Sequence, residues 1–370
     1  MCGTVGLFMG CAAVSLCPKQ ALFARRDDPG GAVAGTGAVD GAEAAPRAKA
    51  AKAAKAGEAG PDTYASPFRN WYERATVRSA DRRELGPSAA DQGFFAPELV
   101  PLASHPLIAD LRGERPDIHR DVLVRHLYRY LDFTAKLEHL VVNRTVLGIA
   151  HGTIGVRLPE AMRLDAFKIY CDEAYHALSS ADLAAQVRRA TDVRAELPEV
   201  PYFVTRLERY LEETPDDLTA LTEILFVIVS ETLITAQLSE MGNDRSIVPA
   251  VREAVRDHAL DEGRHHAYFA VFLRHLWGQL TPATRRRAAL RVPRLIRIFT
   301  DPDVPSVERE VVGYGFSRDD ARRIVTELFP DAAVTAYAKT VSQQTVRHFA
   351  SVGALDDEQV RAEFAAHGLL

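Results

Sequence analysis

The stretch 257-DHALDEGRHHAYF-269 decides the fold, because it places ionisable side chains on what otherwise reads as an apolar helix. His258, Glu262 and His265 stand at positions i, i+4 and i+7, so a helix carries them within about 60° of one another on one stripe. Burying a carboxylate and two imidazoles costs several kcal/mol unless they are paired or bind a metal. The stretch therefore predicts a metal site inside a helical core.

A second stretch, 171-CDEAYHAL-178, repeats the pattern. Both stretches contain the pentad Asp-Glu-x-x-His: Asp172, Glu173 and His176 in one, and Asp261, Glu262 and His265 in the other. The glutamate and histidine of each pentad share a helix face, because residues at i and i+3 are neighbours on that face. Each aspartate precedes its histidine by one turn, where an outer carboxylate can orient a ligating imidazole.

One solitary glutamate in apolar surroundings precedes each pentad by one predicted helix. Glu138 lies in LDFTAKLEHLVVNRTVLGIA, and Glu231 lies in LTEILFVIVSETLITAQL. Two such halves folded together give four carboxylates and two imidazoles, the ligand set of ferritin-like dinuclear iron or manganese sites. Carboxylates can bridge two metals about 3.5–4 Å apart and leave positions for oxygen or substrate.

Hydrophobic periodicity predicts helices along the rest of the chain and no sheet. Pro159 and Pro215 mark two helix starts, and Gly242-Asn243 marks one end. The predicted helices are residues 119–150, 159–190, 201–213, 216–241, 246–278, 282–299 and 317–350. The predicted fold class is all-α: a ferritin-like four-helix bundle with additional C-terminal helices.

Residues 1–62 differ in composition from the rest and are rich in Ala, Gly and Lys. With few large apolar side chains, such a segment cannot offset its own ordering entropy, so we predict a disordered extension followed by one domain over 63–370. The apolar run 3-GTVGLFMGCAAVSLC-17 is shorter than the roughly 20 residues that span a bilayer. A cleaved or membrane-touching leader is the minority interpretation.

The composition limits the partners and the compartment. A net charge of −5 gives no reason to expect nucleic acid or an anionic membrane. The four cysteines form no CxxC pair, which suits a reducing, cytoplasmic location better than a disulfide scaffold. The sequence contains no dinucleotide fingerprint, P-loop or iron–sulfur cysteine set, so reducing electrons must come from an external donor or reductase.

The third histidine, His258, extends the six-ligand ferritin-like pattern to seven. The resulting order resembles that of the p-aminobenzoate N-oxygenase family, the AurF-type non-haem diiron arylamine oxygenases, over about residues 66–350. It rests on these residues: Glu138, Glu173, His176, Glu231, His258, Glu262 and His265. The resemblance implies two irons that activate O₂ and oxidise a small-molecule amine stepwise toward a hydroxylamine, nitroso or nitro product. It also suggests a homodimer.

The resemblance further implies how the ligands divide. Glu173 and Glu262 would bridge the irons, and the other five would be terminal. Glu138 and His176 would complete one iron, and Glu231, His258 and His265 would complete the other.

Substrate recognition is less specified. Tyr130 lies within about 80° of the face of Glu138 and matches a pocket tyrosine of the family, although a core tyrosine with a satisfied hydroxyl fits the position equally well. Phe269 and Phe272 continue the stripe of the opening stretch and favour a flat aromatic guest. Arg347 and His348 are two of several candidates for holding a substrate carboxylate.

Other functions use similar patterns. A diiron C–H hydroxylase or desaturase fits the same bundle. A radical-generating subunit of the ribonucleotide-reductase type needs a nearby tyrosine; Ser180 occupies the position one turn past His176, while Tyr175 and Tyr268 stay open. An iron store would be about half as long, a zinc hydrolase is disfavoured by the absence of HExxH, and a scaffold that has lost its metal would not need all seven ligands.

Overall fold

The computed structural model describes residues 64–370 except 88, 90, 91 and 243, and leaves the side chains of residues 235–241 undescribed. The predicted disordered extension over residues 1–62 lies outside the described residues. Within the described part every regular element is a helix, and the one β contact there is an isolated bridge between Gly93 and Ile247. The all-α prediction is confirmed.

Fifteen α-helices follow one another along this part of the chain, together with one π-helical and two short 3₁₀ segments. The helices are α1 Trp71–Arg74, α2 Thr76–Ser79, α3 Pro106–Leu111, α4 Ile118–Lys136, α5 Asn143–His151, α6 Glu160–Thr191, α7 Tyr202–Glu212, α8 Asp216–Met241, α9 Pro249–Gln279, α10 Pro282–Ala289, α11 Val292–Thr300, α12 Val304–Gly313, α13 Arg318–Leu328, α14 Asp331–Ser351 and α15 Glu358–Ala366. The 3₁₀ segments are Pro97–Leu99 and Pro101–Ser104, and the π-helical segment is Leu137–Val142.

Four long segments form the bundle. The α4–π–α5 segment packs along α6, α6 packs along α9, α9 packs along α8, and α8 contacts α5, which closes the ring. The centre of α8 is apolar all round, and residues 224–229 are buried on every face. A helix of that composition is stable only when neighbours surround it, which α9, α11 and α14 do here.

The predicted helix 119–150 forms, but it is not α-helical throughout. Residues Leu137–Val142 adopt a π-helical turn that contains Glu138. One extra residue per turn re-aims the side chains that follow, and such turns are frequent at functional sites. Gly152, with a φ of 69°, ends the segment in the left-handed conformation that glycine adopts without strain.

Two predicted helices are wrong as single elements. The 282–299 segment divides into α10 and α11, because Pro293 fits the first turn of a helix but not its interior. The 317–350 segment divides at Pro330, which becomes the N-cap of α14. Five helices were not predicted, because each is short and shows at most three turns of periodicity: α1, α2, α3, α12 and α15.

Residues 64–86, the N-terminal strap, cross α6 and α9 on the outside of the bundle. Tyr64 donates a 2.7 Å hydrogen bond to Asp165 on α6, and Arg82 pairs with Asp182 on the same helix at 2.8 Å. The backbone N–H of Leu85 donates to the side chain of Gln186 at 2.9 Å. Among the described residues, no helix combines the length and apolarity that a membrane span requires.

Candidate metal centre

The bundle brings together the side chains of all seven predicted ligands. Glu138 comes from the π-helical segment, two ligands come from α6, Glu231 comes from α8 and three come from α9. All seven are at least 93% buried, which for charged groups is rare without a partner. Their atoms fall into two groups that share one carboxylate: Glu138, His176, His258 and Glu262, and Glu173, Glu231, Glu262 and His265. Their role as ligands stays a prediction.

The position of His258 corrects the division of ligands that the resemblance implied. Nε2 of His258 lies 2.9 Å from Oε1 of Glu138, and its ring stands 4.2 Å from the ring of His176. It therefore belongs with these two residues and not with His265. The reason is the helix rise: at 1.5 Å per residue, His258 and His265 lie about 6 Å and 4.5 Å from Glu262 in opposite directions along α9.

Two glutamates lie between the groups, as bridging carboxylates would. Oε2 of Glu173 is 3.2 Å from Nδ1 of His176, while its Oε1 is 2.9 Å from Nδ1 of His265. Oε1 of Glu262 is 3.2 Å from Nε2 of His258 and 3.1 Å from Nδ1 of His265. Each carboxylate thus reaches one histidine of each group.

The unsatisfied atoms show whether these residues fit a metal pair. Buried polar atoms are nearly always hydrogen-bonded, yet several side-chain atoms of this cluster make no contact with hydrogen-bond geometry, although Nε2 of His258 and Nδ1 of His265 each lie 2.9 Å from a carboxylate oxygen. The atoms without such geometry are both carboxylate oxygens of Glu138, Oε1 of Glu173, Oε2 of Glu231, Nε2 of His258, Oε2 of Glu262 and Nδ1 of His265. All are oxygen or imidazole nitrogen atoms that face the shared centre, so the donor set fits two hard or borderline divalent cations.

The carboxylates of the cluster raise the pKa values of its three histidines, so they favour a positive charge at this place. Burial alone would lower the pKa of His258, but the carboxylates of Glu138 and Glu262 outweigh it and raise the pKa to about 9. The pKa values of His176 and His265 are raised well above the ordinary value for the same reason. Protons on imidazole therefore compensate the carboxylates in the metal-free cluster, and divalent ions would displace them.

The glutamates differ in how well they are compensated. Burial raises the pKa of Glu138 to about 7, against the opposing effect of His258. Burial also raises the pKa of Glu231 well above its ordinary value, and Glu173 and Glu262 add to the shift. The pKa of Glu262 is lowered instead, because its histidine neighbours outweigh its burial. Four carboxylates in one dry volume match the charge of two divalent ions.

The two predicted outer carboxylates exchange partners across the bundle. Nε2 of His176 lies 3.0 Å from Oδ2 of Asp261, and Nε2 of His265 lies 3.2 Å from Oδ2 of Asp172. Each aspartate thus contacts the histidine of the opposite pentad and not the histidine one turn along its own helix. With Nε2 engaged, Nδ1 of each ring faces the cluster.

The strap supplies partners for these aspartates that sequence reasoning missed. Nε1 of Trp71 donates to both oxygens of Asp172 at 2.8 and 2.9 Å. The backbone N–H and hydroxyl of Thr76 donate to Asp261, which also pairs with Arg264. A buried tryptophan needs an acceptor for its N–H, and that need was the one signal available in the sequence.

One cleft reaches the cluster from the surface. Its volume is about 30 Å³ on the scale used for protein cavities, and its lining includes His176 and His258. Tyr130 and Tyr175 line its sides. The hydroxyl of Tyr130 is buried, with Thr134 as its neighbour one turn along α4.

We compared the chain with models of known protein families. The chain matches the model of the P-aminobenzoate N-oxygenase AurF over residues 62–353, which include the bundle and all seven clustered residues. The chain belongs to the AurF family. A search of curated proteins found no match.

Within this AurF-family site, the predicted pocket residues separate. Tyr130 lines the cleft, whereas Phe269 and Phe272 pack against Tyr268 in the core and are not among the lining residues. The hydroxyl of Tyr268 donates to the carbonyl of Met162 at 3.0 Å, so it is not directed at the cluster. His348 lies against His266, with their Nε2 atoms 2.9 Å apart, outside the cleft lining. Arg347 pairs with Gln344 and does not line the cleft either.

Proposed function

We propose that this protein is a non-haem diiron oxygenase that transfers oxygen to the nitrogen of an amine, with arylamines as the main substrate class. Membership of the AurF family supports the reaction. The observation that carries the diiron assignment is the pair of buried donor groups that share Glu262 and leave carboxylate oxygens of Glu138, Glu231 and Glu262 without a hydrogen bond. Such a cluster is costly to bury unless cations occupy it.

The residues divide between two irons in this proposal. Glu138, His176 and His258 would hold one iron, Glu231 and His265 would hold the other, and Glu173 and Glu262 would contribute to both. When bound and reduced, the irons supply the O₂ activation that amino-acid side chains cannot perform. For the first oxidation, the amine, O₂, two electrons and two protons give a hydroxylamine and water, so that the O–O bond breaks and an N–O bond forms.

The protein's own residues hold the cluster, exclude water and admit the amine. Glu231 follows residues 224–229 of α8, which are all buried, so water has no access to the cluster along that part of the helix. The cleft opens on the other side, at His176 and His258, so the amine approaches there. The hydroxyl of Tyr130, which lines the cleft, provides a hydrogen-bonding group beside that approach. The two electrons come from a separate reductase or a small reductant.

Oxygen tracing tests the reaction. Iron-loaded, reduced protein is exposed to ¹⁸O₂ with a panel of arylamines, and products are analysed by mass spectrometry. We expect labelled hydroxylamine, nitroso or nitro products, and none from protein freed of metal by a chelator. Labelled carbon-hydroxylated products, or a desaturated alkyl substrate, with no oxygen on nitrogen would replace this proposal with C–H oxidation.

A further inference from the structure

The cleft that leads to the cluster contains one fixed positive charge. Thirteen residues line it, and among them only Arg83, from the N-terminal strap, is an arginine or lysine. A substrate carboxylate entering this cleft would depend on that guanidinium, because arginine is the side chain best shaped to hold a carboxylate.

The guanidinium of Arg83 is already occupied by two carboxylates of α9. Its Nε and Nη2 lie 2.7 Å from Oδ2 of Asp257, and its Nη1 lies 3.0 Å from Oε2 of Glu253. We call these three residues the Arg83 triad. Its formal charge is −1, so the mouth of the cleft offers an anion net repulsion instead of an unpaired cation.

The position of the triad is fixed by further contacts of the strap. The carbonyl of Arg83 accepts a 2.9 Å hydrogen bond from Gln186 on α6, and the neighbouring Arg82 pairs with Asp182. The Arg83 side chain therefore cannot turn toward a substrate without giving up its contacts with Asp257 and Glu253 on α9. The rest of the lining is uncharged apart from the two histidines of the cluster, and it is rich in hydroxyl groups, including those of Tyr130 and Ser180.

We propose that the cleft selects neutral and cationic amines against amines that carry a carboxylate, and that Asp257 and Glu253 impose this preference by keeping Arg83 paired. The family is described by p-aminobenzoate, which is an anion, so this chain would use the same cluster for a different charge class of amine. The inference rests on the proposed function for the identity of the reacting group. It does not depend on turnover, because charge selection acts on binding.

Three arylamines of nearly equal shape test the charge preference. p-Aminobenzoate is anionic, p-aminobenzamide is neutral and p-aminobenzylamine is cationic at neutral pH. Their dissociation constants are measured on the iron-loaded protein without O₂, by calorimetry. We expect p-aminobenzoate to bind about tenfold more weakly than the amide, since like charges at the entrance oppose it. Tighter binding of p-aminobenzoate than of the amide would overturn the proposal.

The variant Asp257→Asn assigns the preference to the triad. It frees one side of Arg83 and should bring the two dissociation constants within about threefold of each other. The matched control is Asp182→Asn, which removes the partner of Arg82 on the same strap but outside the cleft; its preference should stay that of the wild type. If the ratio of the dissociation constants of p-aminobenzoate and p-aminobenzamide were the same in the two variants, the role of Asp257 would be contradicted.

Glu253→Gln protects the test against misfolding, because Glu253 is 42% exposed and its replacement buries nothing new. It should shift the charge preference in the same direction as Asp257→Asn, by a smaller factor. If Asp257→Asn misfolds, the absence of a shift in Glu253→Gln would also overturn the proposal.

Failure of the proposed function and failure of this inference give different results. Normal charge discrimination without oxygen transfer to any amine would sink the proposed function alone, and oxygen transfer without charge discrimination would sink this inference alone.

Discussion

The two donor groups of the cluster each contain the histidine of one pentad, but their surroundings differ. We call the group with Glu138, His176 and His258 the His176 half, and the group with Glu231 and His265 the His265 half. In one half, His265 contacts Asp172, whose strap partner is the neutral indole of Trp71. In the other half, His176 contacts Asp261, which is held by Thr76 and by the cation of Arg264. Burial raises the pKa of Asp172, whereas the donors around Asp261 outweigh its burial and lower its pKa.

The halves also differ in access. The His176 half contains the additional His258 and faces the cleft. His265 does not line the cleft; Phe68 stacks on it at 5.9 Å, and Glu231 of the same half follows the buried residues 224–229 of α8. The sequence repeat thus builds a symmetric frame, and non-repeated residues make only one half face the cleft. We propose that oxygen and substrate meet this half.

Removing Glu262, the carboxylate that both halves share, should affect both halves equally. Glu262→Ala should lose both irons, because the donor atoms of both groups converge on Glu262. The measurement is iron per chain by mass spectrometry after iron-rich expression. Glu253→Ala, the same change on the same helix but outside the cluster, should retain wild-type iron. Two irons in Glu262→Ala would show that the groups are independent.

Removing one histidine at a time should separate the halves. His265→Ala deprives its half of its one imidazole and should lower iron to about one per chain. His258→Ala leaves His176 in place, so the fold and most of the iron should remain while oxygen transfer drops by about a hundredfold or more. His266→Ala is the control, because that ring contacts His348 outside the cleft lining. Wild-type turnover in His258→Ala would reduce this histidine to a buried polar residue.

The strap contacts should tune each half separately. Trp71→Phe removes the N–H that holds Asp172 and should weaken iron at the His265 half by about tenfold, as loss of an outer partner typically does. It should also lower the free energy of unfolding by about 1–3 kcal/mol, because a buried acceptor loses its donor.

Thr76→Val should weaken iron at the other half, and Thr76→Ser, which keeps the hydroxyl, should restore it. Competitive titration with a metal-binding dye measures both affinities. Equal losses at both sites from either variant would mean that the strap acts on the whole fold and not on one half.

The metal-free protein should lose stability as the pH rises. The pKa of His258 in the folded protein is about 9, above its ordinary 6.5, so its contribution is complete below about pH 6.5 and vanishes as the pH passes 9. Glu138 acts in the same direction over a lower range, because its folded pKa of about 7 exceeds the ordinary 4.5.

Denaturant unfolding at several pH values between 6 and 10, with and without His258→Ala, measures this dependence. The substitution should flatten the decline between pH 6.5 and 9, by about 3 kcal/mol at most. Parallel curves for the two proteins would contradict the assignment.

The sequence was sufficient to predict the frame and not its asymmetry. Glu138, Glu231 and the two pentads could be found because buried charge at helical spacing is conspicuous in apolar segments. The side on which His258 lies depends on how α9 runs past α6, which no local pattern encodes. The same holds for the exchange of Asp172 and Asp261 between the pentads.

The residues that complete the halves come from far along the chain. Trp71 is 101 residues from Asp172, and Thr76 is 185 residues from Asp261, so spacing could not pair them. Phe269 and Phe272 continue the ligand stripe, but that stripe turns into the core beyond His265, where they pack against Tyr268. Periodicity identifies a buried face and does not say whether a guest or another helix covers it.

The iron content of the wild-type protein tests whether two linked half-sites each hold one iron. Protein expressed with ample iron is purified, its metals are quantified by mass spectrometry, and Mössbauer spectra of ⁵⁷Fe-enriched samples resolve the iron environments. We expect two irons per chain in two distinct environments of equal area, because one half has the additional nitrogen of His258. One zinc per chain, or no bound metal, would contradict it.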